Sequence, residues 1–201
     1  SNDITDPTVY AGVIKGILDG LKSVGSTKGV IANIPNVTSI PYFTTVPYNP
    51  LTPTLLGANL ATLNASLYGP LKQALTAFGA GDRINLLSST SSNPLLIKDT
   101  SLTNLSAQLT AALTPALGAP TAAAFGQIYG QARQATANDY ILLPTSSVIG
   151  TAAAGAPSSI NVYGISYPLE NQHVLTSTEA ANVKAAVTAY NTSLSSLASA
   201  Y

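Results

Sequence analysis

The residues able to do chemistry in this chain are few and far apart. Its one histidine, His173, ends the polar run that begins at Glu170, just ahead of the last helical stretch. A hydrolytic site needs a nucleophile beside a base, or a metal held by imidazoles and carboxylates. A single His with no second His and no dense carboxylate cluster supplies neither, and it reads first as a surface residue. Ser146 and Ser147 follow an apolar run but lack the flanking glycines of a nucleophile elbow, so they read as a solvated turn. Asp82 and Arg83 are adjacent and read as a surface pair of little energetic worth. Asp3 and Asp6 lack the glycine and the later glutamate of a calcium loop and read as a capping region. Gly126 and Gly130 are two glycines with no strand before them, which makes no phosphate cradle. The four Asn-x-Ser/Thr matches, at Asn36, Asn64, Asn104 and Asn191, are expected by chance in so Ser/Thr-rich a chain. Residue by residue, the sequence contains no catalytic constellation and calls for no cofactor and no metal.

Composition narrows the classes further. Of 201 residues, 46% are apolar and 8% charged, against about 25% charged in an ordinary soluble domain. Such a chain can bury a core, and its aliphatic content argues against disorder. Eight basic and eight acidic residues cancel without clustering, so there is no electrostatic footprint for nucleic acid or an anionic membrane. Apolar runs fall short of the roughly 20 residues needed to span a bilayer. With no cysteine, disulfides and thiolate chemistry are excluded. The low-charge, Ser/Thr/Asn-rich surface leans toward an exported protein.

The elements that would position these residues read as an α/β pattern. Asp6-Pro7 starts a helix, with Val9, Val13, Ile17, Leu21 and Val24 as its stripe and Gly25 as its stop. Gly29 to Ile34 is a short apolar run without alternation, as in a strand buried on both faces of a parallel sheet. Pro41, Pro47, Pro50 and Pro53 predict an extended loop. Leu55 to Leu67 predicts a second helix, with packing continued at Leu71, Leu75 and Phe78. Residues 84–87, 95–97 and 139–143 read as strands, 102–113 as a helix, 115–130 as ambiguous and 152–159 as a loop. Thr176 to Glu179 is a capping box opening a final helix through Val183, Val187, Tyr190, Leu194 and Leu197.

Three segments taken together resemble a known family. They are Ser1-Asn-Asp-Ile-Thr-Asp-Pro-Thr-Val-Tyr10, then Lys28-Gly-Val-Ile-Ala-Asn-Ile-Pro-Asn-Val-Thr-Ser-Ile-Pro-Tyr-Phe-Thr-Thr-Val-Pro47, then the stretch from Arg133 to Thr151 leading to the helix of Tyr190. In this order they resemble SGNH (GDSL-like) serine hydrolases of Bacteroidetes, of lipase or acylhydrolase type. The resemblance implies an α/β fold: part of a flavodoxin-like three-layer arrangement with a parallel sheet, plus a mainly helical insertion. It implies core segments 1–50 and 168–201 around a cap or insertion at 51–167. It also implies a parent ester hydrolase working by serine acyl transfer on an ester with an apolar acyl group, secreted, periplasmic or lipid-anchored in an outer membrane. The family's Gly-Asp-Ser, oxyanion and Asp-x-x-His blocks are missing from this sequence, so no catalytic residue carries over and the chain alone is expected to be inactive. Asn36 and Thr38, after the expected central strand, are expected to line the substrate cleft. An exposed sheet edge would invite self-association, or complementation by the missing segments. The competing reading is a non-catalytic exported module for binding or surface interaction.

Overall fold

A computed structural model describes residues 4–25 and 28–201. Asp3 lies outside them. The chain divides into two units, Ser1–Ile40 with Thr178–Tyr201, and Pro41–Ser177.

The first unit is built on two helices. Helix α1 spans Pro7–Ser23, with Asp6 as N-cap accepting from the Thr8 and Val9 amides and Pro7 in its first turn. Those amides hold the Asp6 carboxyl below its ordinary pKa. The chain leaves the helix at Gly25 in the left-handed region (φ 89°), where a side chain would be strained. The C-terminal helix spans Ser177–Ala200 and is α8 in chain order. Tyr10 and Tyr190 stack with ring centroids 4.4 Å apart, and the Tyr201 hydroxyl bonds Asp19.

The run from Gly29 to Ile34, expected as a buried central strand, is neither buried nor a strand. Val30 is 97% exposed. Among the described residues, Ile34 alone in this run has its backbone groups bonded: the Asn191 side chain accepts from its amide at 2.8 Å and donates to its carbonyl at 2.9 Å. An uninterrupted apolar run identifies a segment that would tolerate burial on both faces. It cannot supply the neighbours that bury it.

The second unit is mostly helical and carries the core. Pro41 and Pro53 begin one-turn helices, α2 (Pro41–Thr44) and α3 (Pro53–Leu56), rather than breaking structure, because a first-turn proline has no helical amide bond to lose. The expected second helix is composite. Helix α4 (Asn59–Leu63) widens into a π turn (Asn64–Tyr68) before α5 (Gly69–Ala77). Pro70 cannot donate to the preceding turn, and the Gly69 amide bonds the Asn64 carbonyl instead. A Cβ at Gly69 would lie 2.8 Å from that oxygen, so glycine is required there.

Helices α6 (Ser106–Leu117) and α7 (Ala119–Tyr129) form an antiparallel hairpin about Gly118, whose φ of 76° makes the corner. This resolves the ambiguous 115–130 stretch as helix. Strand β1 (Leu96–Lys98) pairs antiparallel with β2 (Ala132–Gln134), Leu96 opposite Gln134. Strand β3 (Tyr140–Ile141) pairs antiparallel with β4 (Val174–Leu175). Residues 84–87, expected as a strand, bury Ile84 and Leu87 without joining a ladder.

Leu95, Leu96 and Ile97 are fully buried among Leu75, Leu109, Tyr129 and Leu169. Each such side chain contributes about 1.5–3 kcal/mol. The two two-stranded antiparallel sheets overturn the parallel three-layer SGNH arrangement that the resemblance implied. The apolar runs are served by helix packing and two short antiparallel pairings between segments distant in the sequence, with no crossover-linked parallel strands among the described residues.

Candidate functional site

His173 closes a single 3-10 turn, Asn171–His173, directly before β4. Its ring packs edge-on against Tyr163, with centroids 5.7 Å apart, and its Nδ1 lies 3.4 Å from the Thr145 hydroxyl. That hydroxyl donates to the His173 carbonyl at 3.0 Å, so its proton is committed to backbone rather than to the imidazole. The neighbouring serines are spent in the same way. The Ser146 hydroxyl donates to the Leu143 carbonyl and that of Ser147 to the Pro144 carbonyl, within the 3-10 turn Leu143–Ser147. No hydroxyl in this cluster is held by a base as an acyl-transfer nucleophile must be.

The strongest charge cluster lies elsewhere, around Arg133 on β2. Its Nε reaches Asp99 at 2.7 Å, and its two terminal nitrogens grip both oxygens of Asp139 at 2.7 Å each. Asp139 also accepts from the Thr136 amide and hydroxyl and from the Ser177 amide at the start of α8. Burial alone would raise the Asp139 carboxyl. Arg133 and these amides outweigh it and hold the pKa below its ordinary value. Asp99 is lowered in the same way, burial being overcome by Ser101 and Arg133. Burial opposes the Arg133 charge, and the two carboxylates more than restore it. No buried side-chain nitrogen or oxygen among the described residues lacks a partner, the signature of a structural clamp rather than a group poised to react. No local pattern marks this triad, whose members come from the end of β1, from β2 and from the turn before β3.

A cleft of about 580 Å³ opens beside the clamp, lined by Asp82, Arg83, Asn85, Gln134 and Ser177 among others. Asp82 and Arg83 are not a simple surface pair. Arg83 donates to the Thr103 and Gly130 carbonyls, pinning the loop before α6 to the end of α7. Gln134 brackets the Asn85 backbone, accepting from its amide at 2.9 Å and donating to its carbonyl at 3.0 Å. The polar lining is thus occupied with holding the fold. Among the described residues no group of three or more His, Asp or Glu side chains comes together to hold a metal.

The expected cleft residues sit in the first unit. Asn36 caps the 3-10 turn Val37–Ser39, its Oδ1 accepting from the Thr38 amide at 3.2 Å and the Thr38 hydroxyl at 2.9 Å. Both residues line a groove of about 200 Å³ with Val183, Val187 and Asn191 of α8. The other Asn-x-Ser/Thr asparagines also serve as backbone brackets. Asn64 bonds both the amide and the carbonyl of Leu87, Asn104 accepts from the Ser106 amide and hydroxyl, and Asn191 holds Ile34.

The remaining feature is an apolar face. Val9, Val13, Ile17 and Leu21 of α1 are 50–59% exposed, Val24 and Val30 more so. A groove of about 380 Å³ between α1, the 28–31 segment and the end of α8 is lined by Leu18, Leu21, Ile31, Ala198 and Tyr201 among others. Leu194 alone is buried among the described residues of this unit. Monomeric proteins rarely leave a contiguous apolar surface of this kind open. Among the described residues no helix is long and apolar enough to cross a membrane.

The two small antiparallel sheets, in place of a parallel sheet between helix layers, overturn the reading of this chain as part of an SGNH-type ester hydrolase. No family model matches the chain, no curated protein sequence matches it, and no solved structure matches it.

Proposed function

We propose that this chain is a non-catalytic, exported binding or surface-interaction module, and that its working surface is the apolar face of the first unit. The observation that carries this reading is the stripe from Val9 to Leu21, continued by Val24 and Val30, left open on a unit with one buried residue among those described. Low charge and a Ser/Thr/Asn-rich surface suit export. The groove lined by Asn36 and Thr38 adjoins Ile34 and belongs to the same proposal as a polar rim. The division near residues 40 and 178 supports reading 51–167 as an insertion between segments 1–50 and 168–201.

Two measurements test the proposal. Diluted until light scattering gives the mass of a single copy, the purified chain should brighten an environment-sensitive hydrophobic dye, and the double substitution Val13→Glu with Ile17→Glu should remove most of that signal while the circular dichroism stays unchanged. A chain that leaves the dye dark while it is a single copy refutes the reading. So does hydrolysis of p-nitrophenyl acetate above background that His173→Ala abolishes.

A further inference from the structure

The proposed working surface leaves its occupant open, and the structure narrows it. From Gly29 to Asn33 the backbone amides and carbonyls carry no hydrogen bond among the described residues, while the side chains there are Val, Ile, Ala and one Asn. A run of unpaired peptide groups is a template for strand addition. Only at Ile34 is the row closed, by the Asn191 amide acting as a neighbouring strand would. Gly29 and Ile31 share a groove with Leu18 and Leu21 at the end of α1, and the α1 stripe from Val9 to Leu21 extends for about 18 Å at 1.5 Å per residue.

We propose that the occupant is a second copy of this chain, the two Gly29–Asn33 segments pairing antiparallel across a two-fold axis and the two α1 stripes closing over them. The inference rests on the reading of this face as the interaction surface, and it names the partner.

Area supports the assignment. Taking about 160–190 Å² for a fully exposed Val, Ile or Leu, the six residues Val9, Val13, Ile17, Leu21, Val24 and Val30 offer roughly 650 Å² at their observed exposures. A stable interface needs about 800 Å² per partner, and the open backbone of 29–33 makes up the difference. A two-fold pairing requires a self-complementary patch, and an antiparallel strand pair of one uncharged segment with itself is self-complementary by construction. Charge raises no obstacle, because the acidic and basic residues balance at eight each and 29–34 carries none. Of the charged residues of α1, Lys15 and Asp19 pair with each other at 2.7 Å, and Lys22, which lines the groove with Gly29 and Ile31, sits over the Tyr201 ring at 5.3 Å from its centroid.

Light scattering on the intact chain at about 50 μM should give twice the 20.4 kDa of one copy. Val30→Lys is the first variant, because a side chain exposed this far has no contacts whose loss would unfold the chain. It should return the mass to one copy and raise the dissociation constant at least tenfold; Val13→Glu should do the same. A single-copy mass for the unaltered chain at this concentration overturns the inference, as does a doubled mass that survives both substitutions. If a single-copy chain instead takes up an added Val/Thr-rich strand peptide, the occupant is a foreign strand and the second copy is refuted. Dye binding separates the two claims. A single-copy chain that still brightens the dye at Val13 and Ile17 defeats the self-pairing and leaves the interaction surface standing, whereas a dark single-copy chain defeats both.

Discussion

Replacing Arg133 by Met removes the guanidinium between Asp99 and Asp139 while keeping most of the side-chain volume. The carboxylates are 4% and 0% exposed and the arginine 11%, so the clamp is nearly dry. Removing one partner of a buried ion pair leaves uncompensated charge and costs about 3–5 kcal/mol. The structure favours the upper part of that range, because one arginine serves two carboxylates and grips one of them with both terminal nitrogens. The expected fall in midpoint is about 6–20 °C for a unit of this size. It can be followed by near-ultraviolet circular dichroism of the buried Tyr68 and Tyr129.

The pH dependence is the sharper test. Both carboxyls have folded pKa values below the ordinary value of about 3.9, so their stabilisation is present above that value and is lost as pH falls through the lower folded values. In the variant the same carboxyls lack their counter-charge and take up protons earlier. The gap between the two proteins should therefore be widest at pH 7 and narrow toward pH 4. Adding Asp99→Asn and Asp139→Asn to the variant should recover much of the loss at pH 7. A deficit under about 1 kcal/mol, or one that stays constant from pH 7 to pH 4, would refute the clamp.

Two other perturbations report on the core. The Tyr129 hydroxyl donates to the Ser166 carbonyl at 2.5 Å within the buried interior, and burial raises its pKa so that it stays protonated as a donor. Tyr129→Phe should cost about 1–3 kcal/mol in urea unfolding, because a buried carbonyl loses its partner, and a neutral result would contradict that bond. Gly126 lets α7 approach α6 so closely that a Cβ would fall 2.2 Å from the Thr110 hydroxyl and 2.4 Å from the Ser106 carbonyl. Gly126→Ala should therefore destabilise the hairpin by about 1–3 kcal/mol despite alanine's better helix propensity; a more stable variant would show that the helices can part without loss.

Local signals carried far in this sequence. Asp6-Pro7 set the start of α1, Gly25 marked its end, and the final helix was legible from its periodicity. These features depend on residues within a turn or two of one another, so composition at that range fixes them. The failures share a different character. Gly29–Ile34 has the pattern of an interior strand, and its hydrophobicity invited a parallel sheet around it. Pairing depends on which segments lie alongside, and no local pattern contains that information. The same holds for the Pro-rich loop, where Pro41 and Pro53 became helix starts because their neighbours permitted a turn.

By itself the sequence determined that the chain is uncharged on balance, free of cysteine, rich in amphipathic helix and poor in reactive groups. Tertiary structure alone decided how those few groups are used. It brought Asp99, Arg133 and Asp139 into one clamp across 40 residues, set the Thr145 hydroxyl on the His173 carbonyl, and left the α1 stripe open. A side chain's chemistry depends on the few ångströms around it, and those surroundings come from parts of the chain that no local reading of the sequence brings together.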